Sequence, residues 1–269
     1  MAAIIFLVAF LYAENNLITI NNLTLYLDNL PAAFAGLKIV HLSDLHGKKF
    51  GQNQRALVKK VETIQPDLVV FTGDLIDRQR GGTKAGLKLL GRLATIAPVY
   101  YVTGNHEGWT GDFDTLRPQL KNSDVKVLSD THDQLRRDKD SIYIVGIDDP
   151  TLKPRPYGPA QQVRDGLETA LEGTDGFTIL LAHRPELIDI YSSFGVNLVF
   201  SGHAHGGQIR LPFVGGLVAP GQGFFPRYAS GPYTHGSSTL VVSRGLGNSV
   251  FPQRLFNRPE IFVVTLNRS

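Results

Sequence analysis

The sequence predicts an α/β domain in which helices accompany two β-sheets. In the first half of the 269-residue chain, short apolar runs alternate with amphipathic helical segments, a pattern typical of βαβ units and a largely parallel sheet. In the second half, apolar runs follow one another with few helical segments between them, which indicates a second sheet packed on the first. A chain of this length with 42% hydrophobic residues can bury a large core. No repeat, low-complexity tract or linker divides it, so we expect one domain.

The elements of the first half follow in chain order. Residues 17–27 alternate in places between apolar and polar side chains and predict an edge strand or hairpin. The segments that follow are predicted as strand 37–43, helix 53–64, strand 67–72, helix 85–96 and strand 99–103.

The second half is predicted to be richer in strands. Helical spacing occurs only near residues 161–171 and 185–191. The predicted strands are residues 141–147, 177–182, 197–201, 239–243 and 260–266.

The N-terminal segment is apolar without interruption from Ala2 to Ala13. This run is shorter than the about 20 residues that a bilayer-spanning helix needs, and it lacks the basic start of a signal peptide. Three interpretations remain open: a truncated transmembrane segment, an interfacial anchor, or a buried first element. Since the run has no polar face, we expect residues 1–16 to be an apolar leader that serves as a truncated or marginal membrane anchor. Residues 17–269 would form the single domain.

Composition narrows the classes of partner and of metal site. The formal net charge of +3 is too small to favour a nucleic-acid partner. The chain has no cysteine, which excludes disulfides and thiolate ligands, so a metal site must use His, Asp, Glu or Asn.

Polar side chains directly follow five of the predicted strands, where ligands gather in sheets of this kind. A turn residue is the commoner explanation of each motif alone, but five in order favour one shared site. These residues are Asp44 and His46 after strand 37–43, Asp74 and Asp77 after strand 67–72, Asn105, His106 and Glu107 after strand 99–103, His183 after strand 177–182, and His203 and His205 after strand 197–201.

Seven of these side chains offer oxygen or nitrogen donors that suit Mn²⁺, Fe²⁺ or Zn²⁺. Seven donors exceed the needs of one tetrahedral ion, but they suit two ions that share a bridging carboxylate about 3.5–4 Å apart. In the stretch "GHAHGGQ", a local turn around the small Ala204 can direct His203 to one ion and His205 to the other.

Together these motifs resemble the calcineurin-like metallophosphoesterases. The resemblance runs from about Leu37 to Gln208 and is carried by D-x-H at 44–46, G-D-x-x-D at 73–77, G-N-H-E at 104–107, His183 and G-H-x-H at 202–205. The tail at residues 243–261, with "GHAHGGQIRLP", is similar to the YkuE/YaeI-like bacterial branch, which is often preceded by a membrane segment or an export signal. That branch is in turn similar to the membrane-bound hydrolases of UDP-2,3-diacylglucosamine.

The resemblance implies a four-layer α/β/β/α sandwich of two mixed β-sheets. It implies that Asp74 bridges two ions, and that His106 lies beside them without ligating either. The implied ligands are Asp44, His46, Asp74 and His205 for the first ion, and Asp74, Asn105, His183 and His203 for the second. One departure from the family pattern is Gly47-Lys48, where many relatives carry Leu-Gly, and it leaves the substrate contacts of that loop open.

The implied activity is a two-metal phosphodiesterase or phosphatase that uses a metal-bridging hydroxide, with Mn²⁺ expected and Fe²⁺ or Zn²⁺ as alternatives. His106 would protonate the leaving oxygen or stabilise the transition state, and Glu107 would either orient His106 or start a helix. Asp77 is expected to contact a ligand or form a turn. Lys48 and Arg184 would contact substrate or be solvated loop charges.

Two other functions remain open. One is hydrolysis of a UDP-2,3-diacylglucosamine-type pyrophosphate at the membrane, and the other is an inactive binding module with the phosphoesterase fold. The complete ligand set favours an enzyme. Phe, Tyr and Arg are interleaved in residues 223–228 and 250–258, which suits a membrane surface or a lipid-linked or cell-envelope substrate; packing of the last strands is the alternative. We therefore expect association with the bacterial inner membrane, with a cytoplasmic location as the alternative.

Overall fold

The computed structural model describes residues 1–249 and 251–269. Val250, the first residue of the predicted aromatic segment 250–258, lies outside the described residues. The strands are β1 (Thr19–Leu27), β2 (Leu37–Leu42), β3 (Leu68–Thr72), β4 (Val99–Val102), β5 (Val125–Val127), β6 (Thr131–Arg137), β7 (Asp140–Gly146), β8 (Phe177–Leu181), β9 (Leu198–Ser201), β10 (Arg210–Leu211), β11 (Gly215–Gly216), β12 (Val218–Ala219), β13 (Gly223–Phe224), β14 (Gly231–His235), β15 (Ser238–Val242) and β16 (Glu260–Arg268). The α-helices are α1 (Ala2–Asn16), α2 (Arg55–Ile64), α3 (Thr83–Ala94), α4 (Asn105–Thr110), α5 (Phe113–Lys121), α6 (Pro159–Leu171) and α7 (Ile188–Ser193).

The first sheet contains six strands in the order β1–β16–β2–β3–β4–β5. Strands β2 to β5 are parallel, in a register that sets Ile39 opposite Leu68 and Val70 opposite Tyr100. The C-terminal strand β16 pairs antiparallel with β2, and β1 lies at the edge, parallel to β16. The sheet is therefore mixed, and the edge strand predicted at residues 17–27 is confirmed.

The second sheet contains six strands in the order β14–β15–β9–β8–β7–β6. Strands β15, β9, β8 and β7 are parallel, and the antiparallel strands β14 and β6 form the two edges. Two short hairpins, β10–β11 and β12–β13, stand apart from both sheets.

Three apolar layers hold four layers of structure together. The first lies between α2, α3, α5 and the first sheet, the second between the two sheets, and the third between the second sheet and α6 and α7. In β2, Ile39 belongs to the layer between the sheets and its neighbour Val40 to the helix-facing layer. Central strands are thus buried on both faces, which explains why they read as continuous apolar runs. The predicted α/β/β/α sandwich is confirmed.

The apolar helix α1 contacts the rest of the chain mainly through its last turn. Ile4, Phe6 and Tyr12 are 68%, 74% and 67% exposed, whereas Glu14 is only 3% exposed. These exposures contradict the alternative of a buried first element. Among the described residues, none of the helices combines the length and the apolar content that crossing a bilayer requires.

Candidate metal centre

The carboxyl ends of strands from both sheets meet at one edge of the sandwich. The loops after β2, β3 and β4 come from the first sheet, and those after β8 and β9 come from the second. The structure brings all seven predicted ligands together there, each of them buried, and these residues are Asp44, His46, Asp74, Asn105, His183, His203 and His205.

Close packing of glycine backbones lets the loops converge. A Cβ atom on Gly73, whose φ is +90°, would lie 2.5 Å from the amide nitrogen of Gly104. Likewise, a Cβ atom on Gly202 would overlap Ser43 Oγ. Any larger residue at either position would push the strand ends apart, so these glycines set the distance between the ligand loops.

The first ligand cluster consists of Asp44, His46, Asp74 and His205, whose ligand atoms all lie within 4.8 Å of one another. His46 Nε2 lies 3.1 Å from His205 Nε2 and 3.5 Å from Asp74 Oδ2. His205 Nε2 lies 3.4 Å from Asp44 Oδ1.

The second ligand cluster consists of Asp74, Asn105, His183 and His203. His183 Nε2 lies 3.3 Å from Asp74 Oδ2, 3.1 Å from Asn105 Oδ1 and 3.2 Å from His203 Nδ1. The other nitrogen of His183, Nδ1, is 2.6 Å from the carbonyl oxygen of Thr72, so it carries the proton and leaves Nε2 free to bind a cation. Asp74 Oδ2 faces a histidine of each cluster and is the atom that the two clusters share.

Divalent cations would satisfy these donor atoms better than hydrogen bonds among the donors do. Ring nitrogens and carboxylate oxygens face one another with too few protons to pair them all. Ligand atoms about 2.1 Å from a common ion lie roughly 3.0–3.5 Å apart, and the separations in both clusters have this size.

Burial and neighbouring charges shift the pKa values of the cluster in opposite directions. Burial raises the pKa of Asp44. Burial alone would also raise that of Asp74, but the neighbouring His183 holds it well below its usual range. Conversely, burial opposes the charge on His183, but Asp74 raises the pKa of His183 to about 10, so an ion that binds Nε2 would displace the second proton of this ring. Burial lowers the pKa of His203 to about 3 and that of His205 well below its usual value. These two rings are therefore neutral, the form of imidazole that binds metals.

Asp77 both closes a turn and orients a ligand. Its Oδ1 accepts the backbone N–H groups of Gln79 and Arg80, each at 2.9 Å. Its Oδ2 lies 3.1 Å from His46 Nδ1 and accepts from Arg80 Nη2 at 2.8 Å. Asp77, His46 and His106 also lie close enough to hold an ion, but hydrogen bonds already occupy the Asp77 oxygens, so we assign this group to orienting His46.

Glu107 does not orient His106. Its buried carboxylate instead accepts hydrogen bonds from four backbone N–H groups, and this arrangement fixes the loop that carries Asp74. Burial, with the charge of Asp74, raises the pKa of Glu107 to about 7 despite these hydrogen bonds. The donors are the backbone nitrogens of Gly104, Asp74, Leu75 and Ile76, at 2.7 to 3.2 Å.

His106 lies beside the cluster, with its ring centroid 4.5 Å from that of His46. The backbone N–H of His106 donates to Asp74 Oδ1 at 2.8 Å. The ring nitrogen Nδ1 accepts from the backbone N–H of Arg78 at 3.0 Å. A neutral ring therefore carries its proton on Nε2.

Lys48 does not approach the metal cluster as a substrate contact would. Its ammonium donates to the backbone carbonyl of Asn15 at the end of α1, and it lies 3.4 Å from Asn248 Oδ1. Burial, together with the nearby Arg254 and Arg80, lowers the pKa of Lys48 to about 7.

Arg184 is neither solvated nor free to meet a phosphate. Its Nε and Nη2 donate to the carboxylate of Asp149 at 2.7 and 3.2 Å, and Asp149 is fully buried. Asp149 thus neutralises the charge of Arg184. No sequence pattern indicates this pairing, because the two residues are 35 positions apart.

Sequence reasoning also missed Asn257, which touches the ligand loop. Its fully buried side chain donates to the backbone carbonyls of His205 and Gln208, at 2.7 and 2.9 Å. Asn257 lies in the tail that resembles the YkuE/YaeI-like branch, but it belongs to none of the five strand-end motifs.

Comparison with known proteins agrees with this geometry. Residues 37–207 match the calcineurin-like phosphoesterase family. The metallophosphoesterase YkuE of Bacillus subtilis (strain 168) is 32% identical over 95% of this chain and 87% of that protein. A transmembrane protein with a metallophosphoesterase domain from Danio rerio is 32% identical, and the match covers 90% of this chain but 56% of that protein.

A solved structure shows the same fold. The protein TT1561 of Thermus thermophilus superposes with a TM-score of 0.54 at 16% identity, covering 79% of this chain and 91% of that one. The family that the sequence motifs indicated is thus confirmed, and with it a metal-dependent hydrolase of phosphoester bonds. The chain belongs to the calcineurin-like phosphoesterase family.

Proposed function

We propose that the chain hydrolyses phosphodiesters or phosphomonoesters at a centre of two divalent ions. The observation that carries this proposal is the position of Asp74 Oδ2, 3.5 Å from a histidine nitrogen of one cluster and 3.3 Å from one of the other. A carboxylate oxygen in that position suits the bridge of a two-ion site. Asp44, His46 and His205 would complete the first site.

Asn105, His183 and His203 would complete the second site. The mixture of carboxylate, amide and imidazole donors suits Mn²⁺, with Fe²⁺ or Zn²⁺ as alternatives. Two such ions, when bound, polarise a phosphoryl group and activate water for in-line attack.

In this scheme the neutral ring of His106 donates a hydrogen bond to the leaving oxygen and stabilises the negative charge that develops there, and water supplies the proton that the leaving group finally takes up. His106 Nδ1 is occupied by the backbone N–H of Arg78, so the proton of the neutral ring lies on Nε2. Burial lowers the pKa of His106, which keeps the ring neutral at physiological pH. A cavity of about 370 Å³ opens beside His106 and is lined also by Arg78 and Trp109. Such a space can hold an organic leaving group, which favours diesters with a bulky alcohol.

The test is hydrolysis of bis-p-nitrophenyl phosphate by the full chain with Mn²⁺, before and after chelation. We expect turnover that chelation abolishes and that Asp74→Asn reduces together with metal binding. Asp67→Asn is the matched control, because Asp67 is a partly exposed carboxylate paired with Arg137 far from the cluster, and it should leave turnover unchanged. If the protein binds Mn²⁺ but hydrolyses no phosphomonoester, diester or pyrophosphate, the inactive binding module replaces the enzyme.

We also propose that an anionic lipid bilayer is the partner of an apolar surface formed by α1, Phe256 and the β10–β11 hairpin. The rings of Phe10 and Phe256 lie 5.7 Å apart, and Phe256 lines a cavity together with residues 210–215. Phe213 and Val214, at the hairpin tip, are fully and 60% exposed.

The charges around this surface support an anionic partner. Residues 191–259 contain no Asp or Glu, and residues 1–13 contain no charged side chain. Of the five arginines in residues 191–259, Arg254 is fully buried, and Arg244 and Arg258 pair with Glu260 and Glu14. Arg210 and Arg227 have no carboxylate partner among the described residues. Apolar side chains that enter a bilayer, with cations beside them, suit an interfacial anchor on anionic lipid. In this scheme residues 1–16 act as the anchor and residues 17–269 as the enzyme domain, at the bacterial inner membrane. A lipid-linked or cell-envelope phosphoester, including the pyrophosphate of a UDP-diacylglucosamine type, becomes the second candidate substrate.

Flotation with lipid vesicles tests the membrane proposal. We expect the full chain to float with phosphatidylglycerol vesicles more than with phosphatidylcholine vesicles, and Phe213→Glu to weaken this binding. Tyr157→Glu is the matched control, since Tyr157 is 46% exposed at the start of α6, away from the apolar surface. Equal binding to both lipids, or equal loss in both variants, would exclude a specific lipid-docking surface.

A further inference from the structure

The ligand residues have a backbone conformation that needs support from outside. Five of the seven have positive φ values, between 48° and 65°, although none is glycine. Residues in this region are strained, and they persist only where surrounding structure holds them. These residues are Asp44, His46, Asp74, His203 and His205.

The turn that carries His205 is held by one side chain from the C-terminal loop. His205, Gly206, Gly207 and Gln208 all have positive φ values. Asn257 Nδ2 donates to the carbonyl oxygens at both ends of this turn, His205 and Gln208. The fit is tight, because a Cβ atom on Gly206 would overlap Asn257 Oδ1.

Asn257 is in turn held by the last turn of α1. Glu14 Oε2 accepts the backbone N–H of Asn257 at 3.1 Å, and Glu14 Oε1 accepts from Arg258 Nε at 2.8 Å. The next residue, Asn15, accepts the backbone N–H of Arg254 at 2.8 Å. Glu14 is the only charged side chain of α1, and a carboxylate buried to 3% exposure is costly unless it is paired.

The apolar helix therefore ends in a polar contact that leads to the first ligand cluster. We infer that Glu14 and Asn257 are positioning residues for His205, so that docking of α1 on the C-terminal loop strengthens binding of one of the two ions. The chain of contacts runs from the Glu14 carboxylate to the Asn257 backbone, and from the Asn257 side chain to the His205 carbonyl. The inference rests on the proposed two-ion centre, and it adds a link between that centre and the apolar N-terminal helix.

A link of this kind acts in both directions. If docked α1 raises the affinity of an ion, the bound ion must favour docked α1 by the same factor. Binding of Mn²⁺ should therefore protect α1 from proteolysis. Tyr12, 67% exposed on α1, offers chymotrypsin a cleavage site whose rate intact-mass spectrometry can follow. This measurement requires no turnover.

The experiment combines Mn²⁺ calorimetry with chymotrypsin cleavage, both on the full chain. Glu14→Ala and Asn257→Ala should each lower the affinity for one of the two Mn²⁺ ions by about tenfold, as loss of a residue that orients a ligand does. The affinity for the other ion should stay unchanged. Both variants should also lose the protection of α1 by Mn²⁺. Glu14→Gln keeps an oxygen that can accept the Asn257 N–H, so it should retain most of the affinity. Glu168→Ala is the matched control, because Glu168 is an exposed helical carboxylate on α6, which packs on the second sheet and contacts neither α1 nor the His205 turn.

Three outcomes separate the hypotheses. Wild-type protein that binds no Mn²⁺ would overturn the two-ion centre and this inference together. If Asn257→Ala binds both ions as tightly as the wild type does, the positioning role alone would be overturned. Should Asn257→Ala fail to fold, the wild-type cleavage rate decides, since a rate that Mn²⁺ leaves unchanged also overturns the link.

Discussion

At the scale of single residues, the hydrogen bond on His106 Nδ1 determines where its proton lies. Because the backbone N–H of Arg78 donates to Nδ1, the neutral ring presents its one N–H group at Nε2. We expect His106→Ala to bind Mn²⁺ as the wild type does, but to lose about 10²–10³-fold in kcat, the usual contribution of one hydrogen-bond donor to a developing oxyanion. Metal content and initial rates on diesters measure both effects.

The leaving group provides the control for this prediction. A hydrogen bond to the leaving oxygen matters less when that oxygen is already a stable anion, so the loss in His106→Ala should be smaller for a p-nitrophenyl ester than for an alkyl ester. A loss of equal size on both esters, or a loss of bound metal, would contradict the role of His106 as the hydrogen-bond donor to the leaving oxygen.

The convergence of the seven candidate ligands was predictable from sequence because each directly follows a strand, and parallel strands of one sheet end at one edge. The partners of Glu107, Lys48 and Arg184 were not. The carboxylate of Glu107 bonds to a loop more than 30 residues earlier, and Lys48 bonds to the end of a helix whose docking no local pattern revealed. Motifs thus predict which residues converge on a ligand, whereas the packing of loops decides which charges are already paired.

At the scale of elements, the pair of Asp149 and Arg184 ties the loop after β7 to the end of β8. Asp149 also accepts from Thr151, through its backbone N–H and its hydroxyl. Burial alone would raise the pKa of Asp149, but Arg184 holds it below its usual value. We expect Asp149→Asn to lower the free energy of unfolding at pH 7 by about 3 kcal/mol, because it leaves a largely buried guanidinium without its counter-charge.

The sign of the pH dependence follows from that pKa. A carboxyl whose pKa is lower in the folded state stabilises fully above the unfolded value of about 3.9, and the stabilisation is lost as pH falls toward the folded pKa. The difference in urea unfolding between wild type and Asp149→Asn should therefore shrink below about pH 4. Asp67→Asn, at a partly exposed pair, should cost about 1 kcal/mol or less. A difference that stays constant with pH would exclude the ion pair as its cause.

The central strands were predictable because both of their faces are apolar, and α2, α3 and α6 were predictable because each has one continuous apolar stripe. Several elements escaped prediction for physical reasons. β6, "THDQLRR", is a largely polar edge strand whose residues are all at least partly exposed. α5 contains Pro118, which argues against a helix in sequence. α4 has only six residues, and its sequence reads first as a ligand motif.

At the scale of the whole molecule, the four-layer architecture followed from the resemblance, whereas the periodic pattern alone predicted only two packed sheets. The strand order of the first sheet was not predicted, because β16, from the C-terminal part of the chain, lies between β1 and β2. No local signal fixes a contact between residues more than 200 positions apart. The layers themselves were readable, since a strand apolar on both faces must be covered twice.

The ligand clusters join the two sheets, and this has a consequence for stability. Asp44, His46 and Asp74 come from the first sheet, and His183 and His205 come from the second, so an ion site between them would form only in the folded state. A ligand that binds only the folded chain stabilises it by about 2.7 kcal/mol at one hundred times its dissociation constant. For a chain of this size, that corresponds to a rise of roughly 5–10 °C in the unfolding midpoint.

We therefore expect differential scanning calorimetry to show a higher unfolding midpoint with Mn²⁺ than with chelator. Asp74→Asn should abolish most of this shift, because it removes the carboxylate that faces both clusters. Asp67→Asn should keep the shift. An equal shift in wild type and Asp74→Asn would mean that Mn²⁺ stabilises the chain from another site, and the two sheets would then not be joined through the proposed centre.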